Sequence, residues 1–185
     1  MDSGSVWQGQ RVRLRAVEPS DGEAHFAWNH DSEMARQVDR VWFPQSRAAT
    51  DRWAAQTTLA DAQGDNFVFE IERLSGEHVG IINTHGCNPR NGTFAYGVVI
   101  RAEHKRQGYA SDAIRVVLRH YFEELRYQKV TVRVYSFNDA SIQLHERLGF
   151  QREGRLRRMI YTQGQFFDEL LFGLTSDEFA ARSGG

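Results

Sequence analysis

The chain has 185 residues, of which 41% are hydrophobic and 25% are charged. This length suits one well-filled domain, and a content of only 3 Pro and 16 Gly argues against a disordered or collagen-like protein. The 23 Lys and Arg residues nearly balance the 24 Asp and Glu residues, which gives a formal net charge of -1. This balance excludes a globally basic protein that charge alone would hold on nucleic acid or anionic lipid.

Cysteine content and hydropathy define the expected environment. Cys87 is the single cysteine, so an intramolecular disulfide and a thiolate-rich zinc or iron–sulfur site are excluded. No basic segment followed by an apolar run marks the amino terminus, and no stretch approaches the ~18 consecutive apolar residues of a membrane span. We therefore expect a soluble, cytoplasmic protein that has no membrane partner.

The first third of the chain combines one strand pattern with two helix patterns. Residues 1–10 are polar and predict a flexible lead-in, and residues 11–17 alternate between apolar and charged as a half-buried strand does. The segment Ser20-Asp-Gly-Glu23 has the form of a capping box and predicts the start of a first helix, and a second helix is predicted over 48–62. The apolar connector 41–44 either packs in the core or forms a wall of a substrate pocket.

The remaining two thirds of the chain begin with three predicted strands, after which helices and strands alternate. Residues 66–101 predict three antiparallel strands, with turn chemistry at 89–92 between the last two. A stripe of apolar residues at helical spacing predicts a long helix over 110–125. A strand over 130–134 follows. After it come a short helix, which Asn138 or Asp139 caps and Gly149 ends, and two strand-like runs at 158–162 and 166–174.

The predicted order of elements is β-α-α-β-β-β-α-β-α-β-β. It indicates an α/β (α+β) fold, in which helices flank a mostly antiparallel central sheet in a single domain. We place that domain at 11–176, after the lead-in at 1–10 and before a carboxy-terminal tail at 177–185.

The segment His104–Ala110 is the first candidate for chemistry, because the sequence has no phosphate loop, dinucleotide fingerprint, zinc-protease motif or serine-hydrolase elbow. It lies between a predicted strand and the start of the long helix. A helix amino terminus offers unpaired N–H groups and a positive dipole end, and Gly108 allows close approach to the backbone. The segment is either an anion-binding site suited to pyrophosphate or a solvated basic loop.

This loop resembles the phosphate-binding signature Arg/Gln-x-x-Gly-x-Gly/Ala of the GNAT superfamily of acyl-CoA-dependent N-acyltransferases. The resemblance implies that acetyl-CoA is the co-substrate and that the loop binds its pyrophosphate. Because a lysine stands where the family has Arg or Gln, bidentate geometry is lost and the backbone N–H groups are expected to make most of the contact. The residues that the resemblance assigns to this role are Lys105, Arg106, Gln107, Gly108, Tyr109 and Ala110.

The segment Asn138–Phe150 is similar to a second GNAT motif, Asn-x-x-Ser/Ala-x-x-x-Tyr-x-Lys/Arg-x-Gly-Phe, which follows the pantetheine arm and the thioester. The resemblance implies that His145, in the tyrosine position, or Ser141 assists the leaving thiolate. Asn138 contacts the pantetheine or caps its helix, and Arg147 approaches CoA or is solvated. The likeness covers residues 11–174 and is greatest to the branch that acetylates the amino termini of ribosomal proteins. The Gly164–Asp168 region is also similar to spermidine and phosphinothricin-type acetyltransferases.

The reaction that the resemblance implies is attack of a primary amine, in a protein amino terminus or a small molecule, on the acetyl thioester. Backbone N–H groups of Val98, Val99 and Ile100 match the stretch that contacts the cofactor and stabilises the oxyanion. The family's usual glutamate base falls at Ala95. Substitutes for that base are available in Glu70, His85, Glu103, Asp168 and Glu169.

Two alternatives remain open from the sequence: a non-catalytic acyl-CoA-binding or regulatory module, and a transferase of a larger acyl group such as succinyl. No metal is expected, and nucleic acid is not an expected partner. Pairing of exposed sheet edges makes a homodimer an expectation at the level of the family.

Overall fold

A computed structural model describes residues 5–60 and 64–183. The beginning of the predicted lead-in (1–4), the end of the predicted second helix (61–62) and the end of the predicted tail (184–185) lie outside the described residues. The strands are β1 (Val12–Arg15), β2 (Val68–Arg73), β3 (His78–Asn88), β4 (Thr93–Ile100), β5 (Lys129–Tyr135), β6 (Gln151–Thr162) and β7 (Gln165–Thr175). The helices are α1 (Gly22–Trp28), α2 (Ser32–Val38), α3 (Arg47–Thr58), α4 (Tyr109–Arg119), α5 (Asp139–Leu148) and α6 (Ser176–Ser183).

The strand order in the sheet is β1-β2-β3-β4-β5-β7-β6. Strand β2 is antiparallel to β1 and β3, strand β7 is antiparallel to β5 and β6, and β4 and β5 are parallel. The prediction of an α/β fold with a mostly antiparallel sheet is therefore confirmed. Backbone contacts divide the chain into two compact units, and β3 and β4 each contribute residues to both.

The first unit comprises Met1–Asn83 and Val98–Val117. Its strands β1 and β2 bury an alternating set of apolar side chains, and α1 packs against α3. Gly80 of β3 lies so close to the backbone carbonyl of Val99 that a Cβ atom would collide with it, which explains a glycine inside a strand. The buried apolar side chains that define this core include Val12, Leu14, Ile71, Val79 and Ile82.

A 3₁₀ turn over Pro19–Asp21 precedes α1, so the first helical segment begins earlier than the sequence predicted. The capping box is formed by Glu18 and Asp21, since the Asp21 carboxylate accepts the backbone N–H of Glu18 (2.7 Å). Arg15 also donates two hydrogen bonds to that carboxylate, each 2.8 Å long. The prediction of a capping box at Ser20 and Glu23 is wrong, because Glu18 and Asp21 form the box and Arg15 holds the Asp21 carboxylate in place.

The second unit comprises Thr84–Gly97 and Leu118–Gly185. Its core joins strands β5 and β7, in register from Lys129 opposite Thr175 to Tyr135 opposite Glu169. Strand β4 pairs with β5 where both begin, with Phe94 opposite Val130. The buried apolar side chains here include Val132, Val134, Leu170, Phe172 and Leu174.

Several local features differ from the sequence predictions. The short helix α2 was not predicted, and helix α4 changes into a π-helical turn over His120–Glu124. Strand β6 begins at Gln151, well before the predicted start, and the expected tail is helical as far as Ser183. The connector 41–44 is not part of the core, because Phe43 is 93% exposed.

Candidate active site

The predicted phosphate-binding loop forms a tight bend ahead of helix α4 in the first unit. Arg106 and Gly108 both have left-handed backbone conformations, with φ of 63° and 85°. The Gly108 carbonyl accepts the Ser111 hydroxyl (2.8 Å) and the Asp112 N–H (3.1 Å), and these bonds start the helix. The basic side chains of Lys105 and Arg106 are exposed. The loop thus combines a helix amino terminus with exposed positive charge, as anion binding requires.

Side-chain contacts within the loop fix its shape. Lys105 Nζ donates to Gln37 Oε1 of helix α2 (3.0 Å), and the Tyr109 hydroxyl donates to Gln107 Oε1 (3.0 Å). Tyr109 is buried at the first position of α4, and Ala110 follows it, partly exposed. Hydrogen bonds within the loop and to helix α2 therefore hold the residues predicted from the motif.

Asp112 connects the start of α4 to strand β1. Its carboxylate accepts the backbone N–H groups of Gln10 (3.2 Å), Arg11 (2.7 Å) and Val12 (3.0 Å). This contact places the Arg11 side chain beside Gly108, where its Nε would lie 3.4 Å from a Cβ on the glycine. Arg11 is a third cation at the loop. Sequence reasoning missed it because Arg11 lies far from the motif in sequence, in a predicted strand that alternates between apolar and basic residues.

Helix α5 in the second unit carries the second motif. Its amino-terminal cap is Asn138, whose Oδ1 accepts the Ser141 N–H (3.1 Å), and it ends at Gly149 in a left-handed conformation with φ of 96°. Both predicted ends are confirmed. Ser141 is partly exposed, and Arg147 is exposed near the other end of the helix.

His145 is buried, and both of its ring nitrogens have hydrogen-bond partners. Nδ1 lies 2.7 Å from the Ser141 carbonyl oxygen, which can only accept, so Nδ1 carries the proton in the neutral ring. Nε2 lies 2.9 Å from the Tyr96 hydroxyl and accepts from it. Burial lowers the pKa of His145 despite the Ser141 carbonyl, which raises it, and burial raises the pKa of Tyr96. The pair is therefore a neutral imidazole and a protonated phenol.

Strand β4 contains the predicted oxyanion stretch and the position of the usual base. Val98, Val99 and Ile100 are partly buried at its end, in the first unit, and Ala95 lies in the part of β4 that belongs to the second unit. Ala95 has no titratable group, so a base in this protein must come from another residue.

Four of the five substitute bases are carboxylates that already have basic side chains as close partners. Glu70 is fully buried, and although burial alone would raise its pKa, the hydrogen bond with His25 (2.7 Å) and the nearby His78 ring lower it. Glu169 Oε2 accepts from Arg133 Nη1 (3.0 Å), and Glu103 lies 2.8 Å from Arg101 Nη2. Asp168 accepts the backbone N–H of Arg158 (2.8 Å) and the side chain of Arg155, and these bonds lower its pKa.

His85 differs from these four groups. Its side chain is exposed, and desolvation by neighbouring protein atoms together with the positive charge of Arg133 lowers its pKa. The imidazole is therefore mostly neutral at pH 7, so it can accept a proton. His85 belongs to the second unit, as do Ala95 and helix α5.

Comparison with known proteins settles the family. The family model described as Acetyltransferase (GNAT) domain matches residues 11–151. The chain belongs to the GNAT acetyltransferase family. GNAT membership confirms the prediction that the protein is an acetyl-CoA-dependent N-acetyltransferase.

Individual relatives with similar sequences are also named N-acetyltransferases. The SPbeta prophage-derived uncharacterized N-acetyltransferase YokL of Bacillus subtilis (strain 168) is 38% identical over 180 residues, which cover 97% of this chain and 98% of that protein. The spermidine N(1)-acetyltransferase of Escherichia coli (strain K12) is 23% identical over 175 residues, or 92% of this chain and 89% of the relative.

A solved structure supports the fold. The spermidine N-acetyltransferase from Vibrio cholerae, in complex with CoA and spermine, superposes with a TM-score of 0.79 at 19% identity. The match covers 91% of this chain and 98% of that one. Among the described residues, every helix is too short or too polar to cross a bilayer.

Proposed function

We propose that the protein transfers the acetyl group of acetyl-CoA to an α-amino group, as found at the amino terminus of a protein or peptide. One observation carries this proposal: strand β4 has Ala95 where a carboxylate base is usual, and each acidic alternative is in contact with a basic side chain. The remaining neutral base is an imidazole with a lowered pKa, His85. Such a base suits an acceptor that loses its proton easily.

The acceptor's own pKa separates the amine classes. An ε-amine or polyamine nitrogen with a pKa of about 10.4 costs roughly 4.6 kcal/mol to deprotonate at pH 7. An α-amino group near 7.7 to 8.0 costs about 1 to 1.4 kcal/mol on the same scale. A neutral imidazole therefore supplies enough basicity for an α-amino group, whereas a lysine or polyamine acceptor favours a stronger base.

The two motifs hold the co-substrate in this proposal. The backbone of Gln107–Ala110, with Lys105, Arg106 and Arg11, binds the pyrophosphate by charge and by the α4 amino terminus. Asn138 and Arg147 contact the pantetheine side. Val98, Val99 and Ile100 contribute backbone N–H groups to the cofactor and to the oxyanion that forms during attack.

Ser141 is the proposed donor to the departing thiolate, and His145 is a positioning residue. The Ser141 hydroxyl lies 3.4 Å from His145 Nδ1, a long contact that leaves it able to turn toward a ligand. His145 Nε2 accepts from Tyr96 and Nδ1 donates to the Ser141 carbonyl, so the neutral ring has no spare proton to give. Its contacts instead hold the first turn of α5.

The test measures thiol release from acetyl-CoA and product mass for three acceptors: a peptide with a free amino terminus, the same peptide amino-terminally blocked but with a lysine, and spermidine. We expect the free amino terminus to give the highest kcat/KM. Preference for spermidine or lysine would overturn the α-amino proposal, and a parallel assay with succinyl-CoA tests the acyl group.

Two variants test the residue roles. His85→Gln is expected to lower kcat/KM and to remove the acidic limb of its pH profile, whereas His30→Gln, in an exposed turn, leaves both unchanged. Ser141→Ala is expected to lower kcat by about tenfold with little change in KM for acetyl-CoA, because the lost bond forms in the transition state. Ser75→Ala is the matched control in an exposed turn.

The expected homodimer and the cytoplasmic location stay predictions. Light scattering of the purified protein, with and without acetyl-CoA, tests the oligomeric state.

A further inference from the structure

A cluster of two histidines and one glutamate lies inside the first unit, away from both cofactor motifs in the sequence. His25 comes from α1, Glu70 from β2 and His78 from the start of β3. The Nε2 atoms of His25 and His78 lie 2.7 Å and 2.6 Å from the two carboxylate oxygens of Glu70. The three ligand atoms that the cluster offers all lie within 4.8 Å of one another. Neither the acetyl transfer nor the family motifs use these side chains.

Aromatic rings enclose the cluster. The ring of His25 packs against Trp28 and Trp53, with centroid distances of 4.6 Å and 4.5 Å, and Trp28 also packs against His78 at 5.0 Å. Glu70 is 0% exposed. A carboxylate in such surroundings is stable only with strong partners, because burial of an unpaired charge is costly.

The hydrogen bonds around the cluster are incomplete. His78 Nε2 directs its hydrogen bond to the Gly80 carbonyl (2.9 Å), and within the described part of the chain Glu70 Oε2 has no hydrogen bond of acceptable geometry. By the same criterion, Trp28 Nε1 and Arg101 Nε are buried N–H groups that have no acceptor among the described residues. Arg101 adjoins the cluster, since its Nη1 donates to the His78 carbonyl (3.3 Å). Unsatisfied buried groups of this kind indicate a water or an ion.

Two imidazole nitrogens and one carboxylate are a common ligand set for zinc, with a water in the fourth position. Zinc–ligand bonds of about 2.0 to 2.2 Å in a tetrahedron separate neighbouring ligand atoms by roughly 3.3 Å. The observed N–O distances of 2.7 Å and 2.6 Å are shorter than this spacing, so an ion requires the histidines to move away from Glu70 by roughly 0.6 to 0.7 Å. A metal-bound water also gives the buried N–H groups nearby an acceptor.

We propose that His25, Glu70 and His78 form a binding site for a divalent transition-metal ion of the zinc type. The ion joins helix α1 to strands β2 and β3 and has a structural role. It takes no part in acetyl transfer. This inference does not depend on the proposed acceptor.

The test uses the full chain without a polyhistidine tag, freed of metal by chelation and dialysis, and titrated with Co²⁺. We expect one Co²⁺ per chain, visible d–d absorption bands, displacement of Co²⁺ by Zn²⁺, and a melting temperature that rises with Zn²⁺ concentration. Absence of these bands in the folded protein overturns the proposal, because the cluster is then only a set of buried contacts between the three side chains.

Variants locate the ion. Glu70→Gln and His78→Gln are expected to abolish the Co²⁺ bands, whereas His30→Gln retains them. Bands that persist in the first two variants, or vanish in the third, place the ion elsewhere and overturn the proposal. If a cluster variant does not fold, X-ray absorption of the zinc-loaded wild type decides: a first shell with two imidazoles supports the site, and a shell without imidazole overturns it.

Discussion

Tyr96 in strand β4 donates its hydroxyl hydrogen to Nε2 of His145 in helix α5, 2.9 Å away, and both side chains are buried. Phe150 and Phe172 surround the imidazole, with ring centroids 5.1 Å and 6.1 Å from it. The bond thus ties the helix of the second motif to the strand that lacks the usual base.

Removal of this donor should destabilise the fold. In Tyr96→Phe the buried Nε2 of His145 loses its partner, and we expect the free energy of unfolding to fall by about 1 to 3 kcal/mol. Urea unfolding measures this change. Tyr161→Phe is the control, because Tyr161 is 64% exposed, and it should alter stability by less than about 0.5 kcal/mol. Equal effects of the two substitutions would contradict the buried bond.

The pH dependence of stability should report on His145. Its pKa in the folded protein lies below the ordinary value of 6.5, since burial disfavours the charged ring. Below that pH the unfolded chain binds more protons at this residue, so stability falls as pH drops from 6.5 through the folded pKa. His145→Gln should therefore lose less stability than the wild type between pH ~7.5 and ~5.5. Urea unfolding across this range tests the prediction, and parallel curves for the two proteins would refute it.

The loop glycine should matter for cofactor binding. Gly108 has a φ of 85° that side chains rarely adopt, and Gly108→Ala adds strain of roughly 1 to 2 kcal/mol beside Arg11. Gly76→Ala is the matched control, because Gly76 has a φ of 94° and nothing lies within 4 Å of its added Cβ. We expect both variants to melt at lower temperature and only Gly108→Ala to bind acetyl-CoA more weakly in calorimetry. Equal affinities for the two variants would show that the loop does not contact the cofactor.

Arg11 should contribute charge to the same binding event. We expect Arg11→Gln to weaken acetyl-CoA binding by about tenfold at low salt, equivalent to ~1.4 kcal/mol, and by less at high salt. Arg90→Gln, in the exposed turn between β3 and β4, removes the same charge and should leave the affinity unchanged. An identical loss in both variants would mean that only net charge matters.

Short sequence patterns predicted the helices whose signals, an apolar stripe or a capping residue, lie within the helix itself. The apolar stripe predicted α4, and its members Ala113, Ile114, Val117 and Leu118 are buried. Asn138 and Gly149 marked both ends of α5 correctly because cap chemistry is a short-range property. Strand β6 was predicted too short, since it lies at the end of the strand order and its exposed arginines hide the apolar alternation.

Relationships between distant residues were beyond sequence reasoning. Tyr96 and His145 are separated by 49 residues and His25 and Glu70 by 45, and neither pair has a spacing that marks it. Helix α2 buries only Met34, which leaves no stripe to detect. Only the folded backbone brings these side chains together, so the partner of His145 and the Arg11 contact emerged from the structure alone.

The carboxy-terminal end of helix α5 is covered by a side chain from helix α6. The guanidinium of Arg182, in α6, lies over Gly149 so closely that a Cβ there would collide with it. A cation at this end of a helix favours the dipole of its terminal carbonyls. Truncation before Ser176 would remove Arg182 from Gly149. Helix α5 would then fray from its carboxy-terminal end, so His145 would lose its contacts before Ser141 does.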